Sequence, residues 1–367
     1  MPAAVSPEVR ALLALHLVPG LGPRLTAALL ERFGSARTVL EAEPAQLCEV
    51  PHIGTKLAGD IHAVLREVDV DAELEQMDRH DVRLVALGTP EYPAPLATIA
   101  DPSHLLYVRG TLVEGDVKAV AIVGSRGCSA YGKRVADRLA SGLVRAGYTI
   151  ISGLARGIDG VAHRSALKAG GRTLAVLANG LSRIYPPDHR DLARQVEGAG
   201  ALLTEGTMGQ EPLAPLFPAR NRLISGLSRG VVIVEANERS GALITASHAA
   251  EQGRPVFAVP GPVDSPASAG CLELIRKGAI LIRGVEDVLE ELEGVAAAAN
   301  PAAAAAAPPG LDDTQRRVWD FLAEQPRHLD EMAQQLALTV PQLAASLLTL
   351  EMKRVVRRLP GNRYERC

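Results

Sequence analysis

The stretch VAIVGSR (residues 120–126) decides the fold, because four consecutive apolar residues run directly into a glycine turn. A strand that is apolar on both faces is typical of a parallel sheet covered by helices on both sides. Similar short apolar runs recur between residues 105 and 282, and helical stretches such as 132–146 and 159–169 separate most of them. The alternation predicts a doubly wound α/β domain over residues 86–293.

The residues before this domain predict a helical unit over residues 1–85. Apolar residues recur there at three- and four-residue spacing, and VPGLG (18–22) is repeated as VPHIG (50–54). This is the helix-hairpin-helix form of a SAM-like domain, in which glycines let backbone N–H groups approach a phosphate. His52 replaces the first glycine of the second copy, so we expect that hairpin to be weaker.

Residues 294–310, rich in alanine with three prolines and no charge, are predicted to be a linker. Residues 311–367 then give three helical patterns and two short strands around Pro360, Gly361 and Asn362. Helix–turn–helix followed by a β-hairpin is the winged-helix pattern.

Composition excludes several classes of protein. The chain has 367 residues, 47% of them hydrophobic, which is enough for large cores and argues against disorder. No run of 18 uncharged apolar residues predicts a membrane span, and the N-terminus does not resemble a signal peptide, so we expect a cytoplasmic protein. The four cysteines lie far apart, so we expect no metal site and no disulfide framework.

Charge is distributed unevenly along the chain. The net charge is −3, but residues 1–85 carry 8 basic and 13 acidic residues, whereas residues 86–292 carry 22 and 20. A nucleic-acid site is therefore expected as a local basic groove in the middle domain. For the acidic helical unit, a structural or partner-docking role is favoured over direct DNA binding.

The candidate site lies where the predicted strands end. In an open parallel sheet, ligands bind beyond the carboxyl ends of the strands. Arg126 and Arg156 lie in two consecutive turns of this kind, and RNR (220–222) follows downstream. Phe217 stands beside these arginines in a stretch that we predict to be a proline-flanked loop. It is either a ring on which single-stranded nucleic acid stacks or a buried loop anchor, and the sequence favours neither.

Enzymatic alternatives match the sequence poorly. GCSAYGK (127–133) fits the phosphate loop of ATPases, but Arg134 replaces the hydroxyl residue that holds Mg²⁺. A dinucleotide site lacks its ribose-binding carboxylate. Asp159 is predicted to be a helix N-cap rather than a base, and His163 a partly buried structural histidine. Glu235 is either a general base or an ion-pair partner of a nearby arginine.

Taken in order, VAIVGSR, SGLARGIDGVAH, AVLANG with YPP (185–187), LLTEG, FPARNRLISGLS, VVIVEA, SGALITA and AVPGPV make the chain resemble the DprA/Smf family (DNA-processing protein A). The resemblance implies a Rossmann-like domain and a protein without catalytic residues, cofactor or metal. It implies a mediator that protects incoming single-stranded DNA, loads the RecA recombinase in natural transformation and forms a homodimer. The DNA-binding residues expected from the resemblance and from the strand ends are Gly124, Ser125, Arg126, Arg156, Phe217, Arg220, Asn221 and Arg222.

Two departures from the family concern the details of the contacts. Pro212 to Pro215 replaces a basic approach to Phe217, and Leu272 replaces an asparagine. The apolar segment 272–282 is the expected dimer surface. A phosphoribohydrolase-like enzyme is the main alternative, with SGALIT (240–245) in place of its catalytic loop. A transcription factor is the second, although the helix VPQLAASLL (340–348) contains no basic residue.

Overall fold

The computed structural model describes residues 5–293, 311–322, 327–336, 338–353, 355–359 and 362–366. These residues fall into two compact units, Met1–Ala299 and Asn300–Cys367. The predicted linker 294–310 and the turn residues Pro360 and Gly361 lie outside the described residues. No helix in the described part of the chain is long and apolar enough to cross a bilayer.

The N-terminal segment is helical, as predicted. Both hairpins adopt the same turn: the φ values of Gly20 and His52 are 82° and 70°, and the residue after each donates to the carbonyl oxygen of the valine three residues before it. His52 therefore takes a left-handed conformation that glycine adopts at lower cost, and the second hairpin is formed despite the substitution. The helices are α1 (Pro7–His16), α2 (Pro23–Phe33), α3 (Ala36–Leu40), α4 (Pro44–Leu47), α5 (Thr55–Glu67) and α6 (Val70–Arg79).

The first unit is built on a nine-stranded sheet of order β1-β2-β6-β5-β4-β3-β7-β8-β9. From β6 to β9 every neighbouring pair is parallel, which confirms the predicted doubly wound α/β fold. The strands are β1 (Val82–Ala86), β2 (Leu105–Gly110), β3 (Ala119–Val123), β4 (Thr149–Ser152), β5 (Thr173–Val176), β6 (Ala201–Thr204), β7 (Val231–Ile233), β8 (Val256–Ala258) and β9 (Ile280–Leu281).

Two expectations about the sheet were wrong in detail. Strand β2 runs antiparallel to β6, although its sequence resembles that of the parallel strands. Strand β1 pairs with β2 and spans the boundary predicted between residues 85 and 86, so the sheet begins within the segment assigned to the helical unit.

The chain reverses direction across the sheet between β3 and β7. Strands β4, β5 and β6 follow β3 on one side, whereas β7, β8 and β9 continue on the other. Such a reversal leaves a crevice at the carboxyl ends of the two central strands, because their connections leave in opposite directions. The helices of this unit are α7 (Ala94–Ala97), α8 (Ala130–Arg145), α9 (Ile158–Lys168), α10 (Arg190–Ala199), α11 (Leu216–Gly226), α12 (Ala242–Glu251), α13 (Ala269–Arg276) and α14 (Val285–Glu293).

The N-terminal helices share a hydrophobic core with the sheet. Leu13, Leu15 and Leu29 are fully buried in the same cluster as Tyr107 and Leu202. The Tyr107 hydroxyl also donates to Glu73 Oε1 of α6 at 2.9 Å. A shared core of this kind couples the stability of the helical segment to that of the sheet.

The second unit is a winged helix, as predicted. Trp319, Leu343 and Leu347 are buried in its core. A two-residue strand that the sequence did not predict joins the hairpin and completes a three-stranded sheet of order β10-β12-β11. The elements are α15 (Asp313–Phe321), β10 (Arg327–His328), α16 (Leu329–Gln335), α17 (Val340–Met352), β11 (Val356–Leu359) and β12 (Arg363–Arg366).

Candidate functional site

A cleft of about 870 Å³ lies at the carboxyl ends of β3 and β7. The turn after β3 forms one wall, the segment after β7 forms another, and the first turns of α11 form a third. Of the eight predicted DNA-binding residues, the structure brings together at this cleft Gly124, Ser125, Arg126, Phe217, Arg220 and Asn221.

The turn after β3 is held rigidly by its neighbours. A Cβ atom on Gly124 would lie 2.8 Å from Ile158 Cγ1, so only glycine fits there. Ser125 N donates to the carbonyl oxygen of Glu235 at 2.7 Å, and Ser125 O accepts from Ile158 N at 3.2 Å. Gly157 has a φ of 79° and passes close to Ser125 O, which leaves no room for a side chain. The position of Arg126 is therefore set by packed backbone.

A cation and two aromatic rings meet at the mouth of the cleft. The guanidinium carbon of the exposed Arg126 lies 5.2 Å from the centroid of the Phe217 ring, within the range of a cation–π contact. The Phe217 and Tyr185 rings are 6.0 Å apart and tilted by 59°. Among the described residues, no carboxylate forms an ion pair with Arg126. Its charge is therefore available to a ligand.

Arg220 supplies a buried positive charge at the base of the cleft. It is 5% exposed, and Nη1 donates to the carbonyl oxygens of Gly153, at 2.9 Å, and of Val176. Burial lowers the pKa of Arg220 to about 10, although the nearby Asp159 carboxylate acts in the opposite direction. At neutral pH the side chain is still charged and makes the floor of the cleft attractive to anions.

The acidic side chains near the cleft bind the protein's own backbone. Asp159 accepts a hydrogen bond from Gly153 N at 3.0 Å, and burial raises the pKa of its carboxyl group. The N-cap of α9 is Gly157, so the predicted N-cap role of Asp159 was wrong. Glu235 accepts from Ser129 N at 2.8 Å and from Ser129 Oγ at 2.5 Å. It thus binds at the N-terminus of α8 rather than to an arginine.

The contact between Glu235 and Ser129 also shows that the segment 127–133 is not a phosphate loop. The helix α8 begins at Ala130 with Ser129 as its N-cap, so Gly132 lies inside the helix. A Cβ atom on Gly132 would lie 2.5 Å from the Glu235 carboxylate. The anion at this helix N-terminus is therefore a side chain of the chain itself.

Two of the predicted contacts lie away from the cleft lining. Arg156 forms a two-pronged ion pair with Asp188, at 2.8 and 2.9 Å. Arg222 is 7% exposed; it binds the Glu205 carboxylate and donates to Asp101 O at 2.6 Å. Arg222 is a structural residue, and its neighbours in sequence reach the cleft because successive helical residues point in different directions.

The structure also adds residues that the sequence did not single out. Arg239 is exposed in the segment after β7 and lines the cleft, as do Asn237 and Thr245. Tyr185 was visible only as part of a family motif. Arg239 could not be identified from the sequence, because an arginine in a polar turn is common. Only the order of strands in the sheet places this turn beside Arg126.

Family models place the chain in a class of DNA-processing proteins. A family model for DNA recombination-mediator protein A matches residues 83–293, and models for the DprA winged helix domain and a SAM-like helix-hairpin-helix tandem match residues 302–362 and 10–67. The chain belongs to the DNA recombination-mediator protein A (DprA/Smf) family.

Individual relatives extend over most of the chain. Protein Smf of Synechocystis is 34% identical over 96% of this chain and 98% of its own length. The DNA processing protein DprA of Bacillus subtilis is 38% identical over 69% of this chain and 88% of its own.

Two solved structures of DNA processing protein A are also similar. The protein from Streptococcus pneumoniae superimposes with a TM-score of 0.69 at 34% identity, covering 77% of this chain and 98% of that one. The protein from Helicobacter pylori, described for its single-stranded DNA binding mode, gives 0.52 at 30% identity and covers 57% and 95%.

Proposed function

We propose that this chain binds single-stranded DNA in the cleft between β3 and β7 and acts as a non-catalytic recombination mediator. The observation that carries the proposal is the contact between Arg126 and the Phe217 ring at the cleft mouth, at 5.2 Å. Single strands are bound by cations along the backbone and by aromatic rings on which unpaired bases stack. In this cleft the Arg126 cation contacts the Phe217 ring directly, and the buried Arg220 adds positive charge beneath them.

The geometry favours single strands over duplex DNA. The rings of Phe217 and Tyr185 are next to each other. A base reaches such rings only if its face is free, whereas the bases of a duplex are stacked on one another. The Helicobacter pylori relative, whose structure is described by its single-stranded DNA binding mode, supports the same ligand for this chain.

The wider role follows from the family. We propose that the chain, as a cytoplasmic homodimer, protects incoming single-stranded DNA and loads RecA on it during natural transformation. The dimer surface proposed is α13 with the edge strand β9, where Leu281 is 44% exposed. An edge strand of this kind has unpaired backbone groups that a second copy covers. Ile282, expected in the same surface, is fully buried and belongs to the core.

An enzymatic role has less support in the cleft. The segment 240–245 lines it, as the comparison with phosphoribohydrolases suggested. Asp159, which lines the cleft, and Glu235, at the end of β7, both accept hydrogen bonds from backbone N–H groups. Both carboxylates therefore have structural partners.

The proposal is tested by equilibrium binding of single-stranded and duplex oligonucleotides of equal length across a salt series. We expect preferential binding of the single strand, with an affinity that falls linearly with salt on logarithmic axes. Equal binding of both forms would contradict the proposed ligand. The mediator role is tested by RecA filament assembly on single strands with and without the protein, using Arg126→Ala as the control with weakened DNA binding.

A further inference from the structure

A second cavity, of about 480 Å³, lies beneath the first hairpin of the N-terminal segment. Its walls come from α1, the hairpin 18–22, the first turn of α2, residues 103–105, the carboxyl ends of β5 and β6, and the first turns of α11. This volume is in the range of small-ligand sites, which is about 300–1,000 Å³. The hairpin thus covers a ligand-sized space at the same edge of the sheet as the DNA cleft.

The first turns of α11 separate this cavity from the DNA cleft. Leu216 and Ala219 line the cavity, whereas Phe217 and Pro218 line the cleft. Arg220 lines both. A ligand in the cavity and a DNA strand in the cleft would therefore be separated only by the first turns of α11.

Polar side chains are interspersed in the cavity walls. His104, Thr204 and Gln210 line the cavity together with Arg220, whose side chain is buried. A ligand with hydrogen-bonding edges suits such walls, because a polar group out of water is stable only when it is paired.

The charge of the walls favours a neutral ligand over an anion. Burial lowers the pKa of both His16 and His104, so each ring is neutral at pH 7, and the His16 ring already hydrogen-bonds the backbone of Glu205. The Glu205 carboxylate also lines the cavity and is neutralised by Arg222 outside it. The Arg220 guanidinium lines the same cavity, so the two opposite charges offset each other and leave little net attraction for an anion. Leucine side chains supply the apolar part of the surface: Leu12, Leu17, Leu105 and Leu177.

We infer that this cavity is a nucleobase-binding site, which receives one unpaired base of the DNA strand bound in the neighbouring cleft. A planar, neutral ring with hydrogen-bonding edges matches apolar walls that also carry polar side chains and two neutral histidines. The inference rests on the proposed function for the source of the base, since a free nucleotide would offer the same chemistry.

The test uses the full-length protein and a thymidine oligonucleotide in which a single abasic residue is moved along the strand. We expect the wild type to lose about tenfold in affinity when the abasic residue occupies the cavity position, the size of one lost base contact. Thr26→Phe fills the cavity, because Thr26 lines it and is 6% exposed. This variant should bind the intact strand about tenfold more weakly and be insensitive to the abasic residue at that position.

Ala27→Phe is the matched control, because Ala27 is the exposed neighbour of Thr26 on α2 and does not line the cavity. It should bind as the wild type does. A Thr26→Phe protein that unfolds like the wild type on heating but shows unchanged affinity and an unchanged abasic profile would overturn the inference.

A second measurement needs no variant. An oligonucleotide carrying 5-iododeoxyuridine should photocrosslink to peptides that contain His16 or His104, and crosslinks confined to peptides with Phe217 or Tyr185 would overturn the inference. Binding of thymidine monophosphate alone, lost in Thr26→Phe, would assign the site to a free nucleotide. If the wild type fails to bind the intact oligonucleotide, the proposed function fails, and this nucleotide experiment still decides the nature of the cavity.

Discussion

Arg126 differs from the arginines around it in the partners of its guanidinium. Arg156 is paired with Asp188, Arg222 with Glu205, and Arg220 donates to two backbone carbonyls. Arg126 instead lies over an aromatic ring in an exposed position. In the sequence all four are similar cationic residues. Only their partners in the structure distinguish an arginine that is free to bind a ligand from arginines with structural roles.

Replacing Arg126 by alanine should weaken single-stranded DNA binding equally for all sequences. One lost phosphate contact should flatten the slope of log affinity against log salt by roughly 0.7. Fluorescence anisotropy across a salt series measures both quantities. Arg156→Ala is the control, because Arg156 is held by Asp188, and it should leave the slope unchanged. An unchanged slope for Arg126→Ala would place the DNA elsewhere.

Phe217→Ala should act through stacking rather than charge. We expect a loss of about 1–3 kcal/mol in binding free energy with a nearly unchanged salt slope. The same anisotropy series measures the effect, and Phe217→Tyr, which keeps a ring, should retain most of the affinity. A large change in salt slope for Phe217→Ala would mean that the ring serves mainly to position the Arg126 cation.

His163 makes stability depend on pH. It is fully buried, with Nδ1 2.7 Å from Thr173 Oγ1, and burial lowers its pKa to about 3. The unfolded chain, with an ordinary histidine pKa near about 6.5, binds the proton that the folded chain excludes. The stability from this group is therefore complete above about pH 6.5 and is lost as the pH falls towards 3.

We expect the free energy of unfolding of the wild type to fall below about pH 6.5 by up to about 1.4 kcal/mol per pH unit more than that of His163→Gln. Urea unfolding curves of both proteins between about pH 5 and 8 measure this difference. Parallel pH dependences would contradict this, because they would show that His163 takes up its proton at the same pH in the folded and the unfolded chain.

At the scale of elements, helix α11 has the largest effect on the site. The sequence suggested a proline-flanked loop around Phe217, but Leu216–Gly226 is helical and Pro218 lies in its first turn. Proline is tolerated there because the first N–H groups of a helix have no intrahelical partner. The helix therefore holds Phe217 at a fixed angle to Arg126, which a loop would not.

The edge strand β9 carries the prediction for the dimer. Leu281→Arg should convert a dimer into a monomer, because a charge in an apolar interface is left unpaired. Light scattering at tens of micromolar protein measures the change. Val117→Arg is matched in exposure, 45% against 44%, and should leave the dimer intact. A dimer in both variants would move the interface away from β9.

At the scale of the molecule, every wall of the DNA cleft belongs to the first unit. The exposed apolar residues of α17 include Val340, Leu348 and Met352, and its sequence has no basic residue before Lys353. This helix is poorly suited to contact phosphates or base edges, because both contacts rely on charged or polar side chains.

We therefore expect a chain that ends at Glu293 to keep its affinity for single-stranded DNA within about threefold, or about 0.6 kcal/mol. Anisotropy with the oligonucleotides used for the intact chain measures this. Thermal unfolding of the shortened chain is the control for folding. A folded but weakly binding product would assign part of the DNA site to the winged helix.

The N-terminal helices illustrate what tertiary packing adds at this scale. The sequence predicted a separate helical unit over residues 1–85, from a change of periodicity and the repeated hairpin motif. In the structure these helices and the sheet bury one common cluster, and Glu73 accepts hydrogen bonds from Tyr107 and from Met208 N. Periodicity reports which face of a helix is apolar, but it does not report what that face covers.

The sequence by itself determined the fold class and the winged helix, and it singled out six of the residues that line the cleft. Each depends on local signals, namely apolar runs of strand length, glycines where backbones approach closely, and turns at strand ends. Helix boundaries such as those of α8 and α9 followed within two residues of the predicted limits.

Only the tertiary structure decided which arginines face a ligand, that β2 runs antiparallel, that α11 is a wall between two cavities, and that Arg239 reaches the cleft. These features depend on partners far apart in sequence, such as Arg222 with Asp101 and Arg126 with Phe217. Local propensity says nothing about such pairs, because their energies arise only when packing removes both groups from water or holds them at a fixed distance.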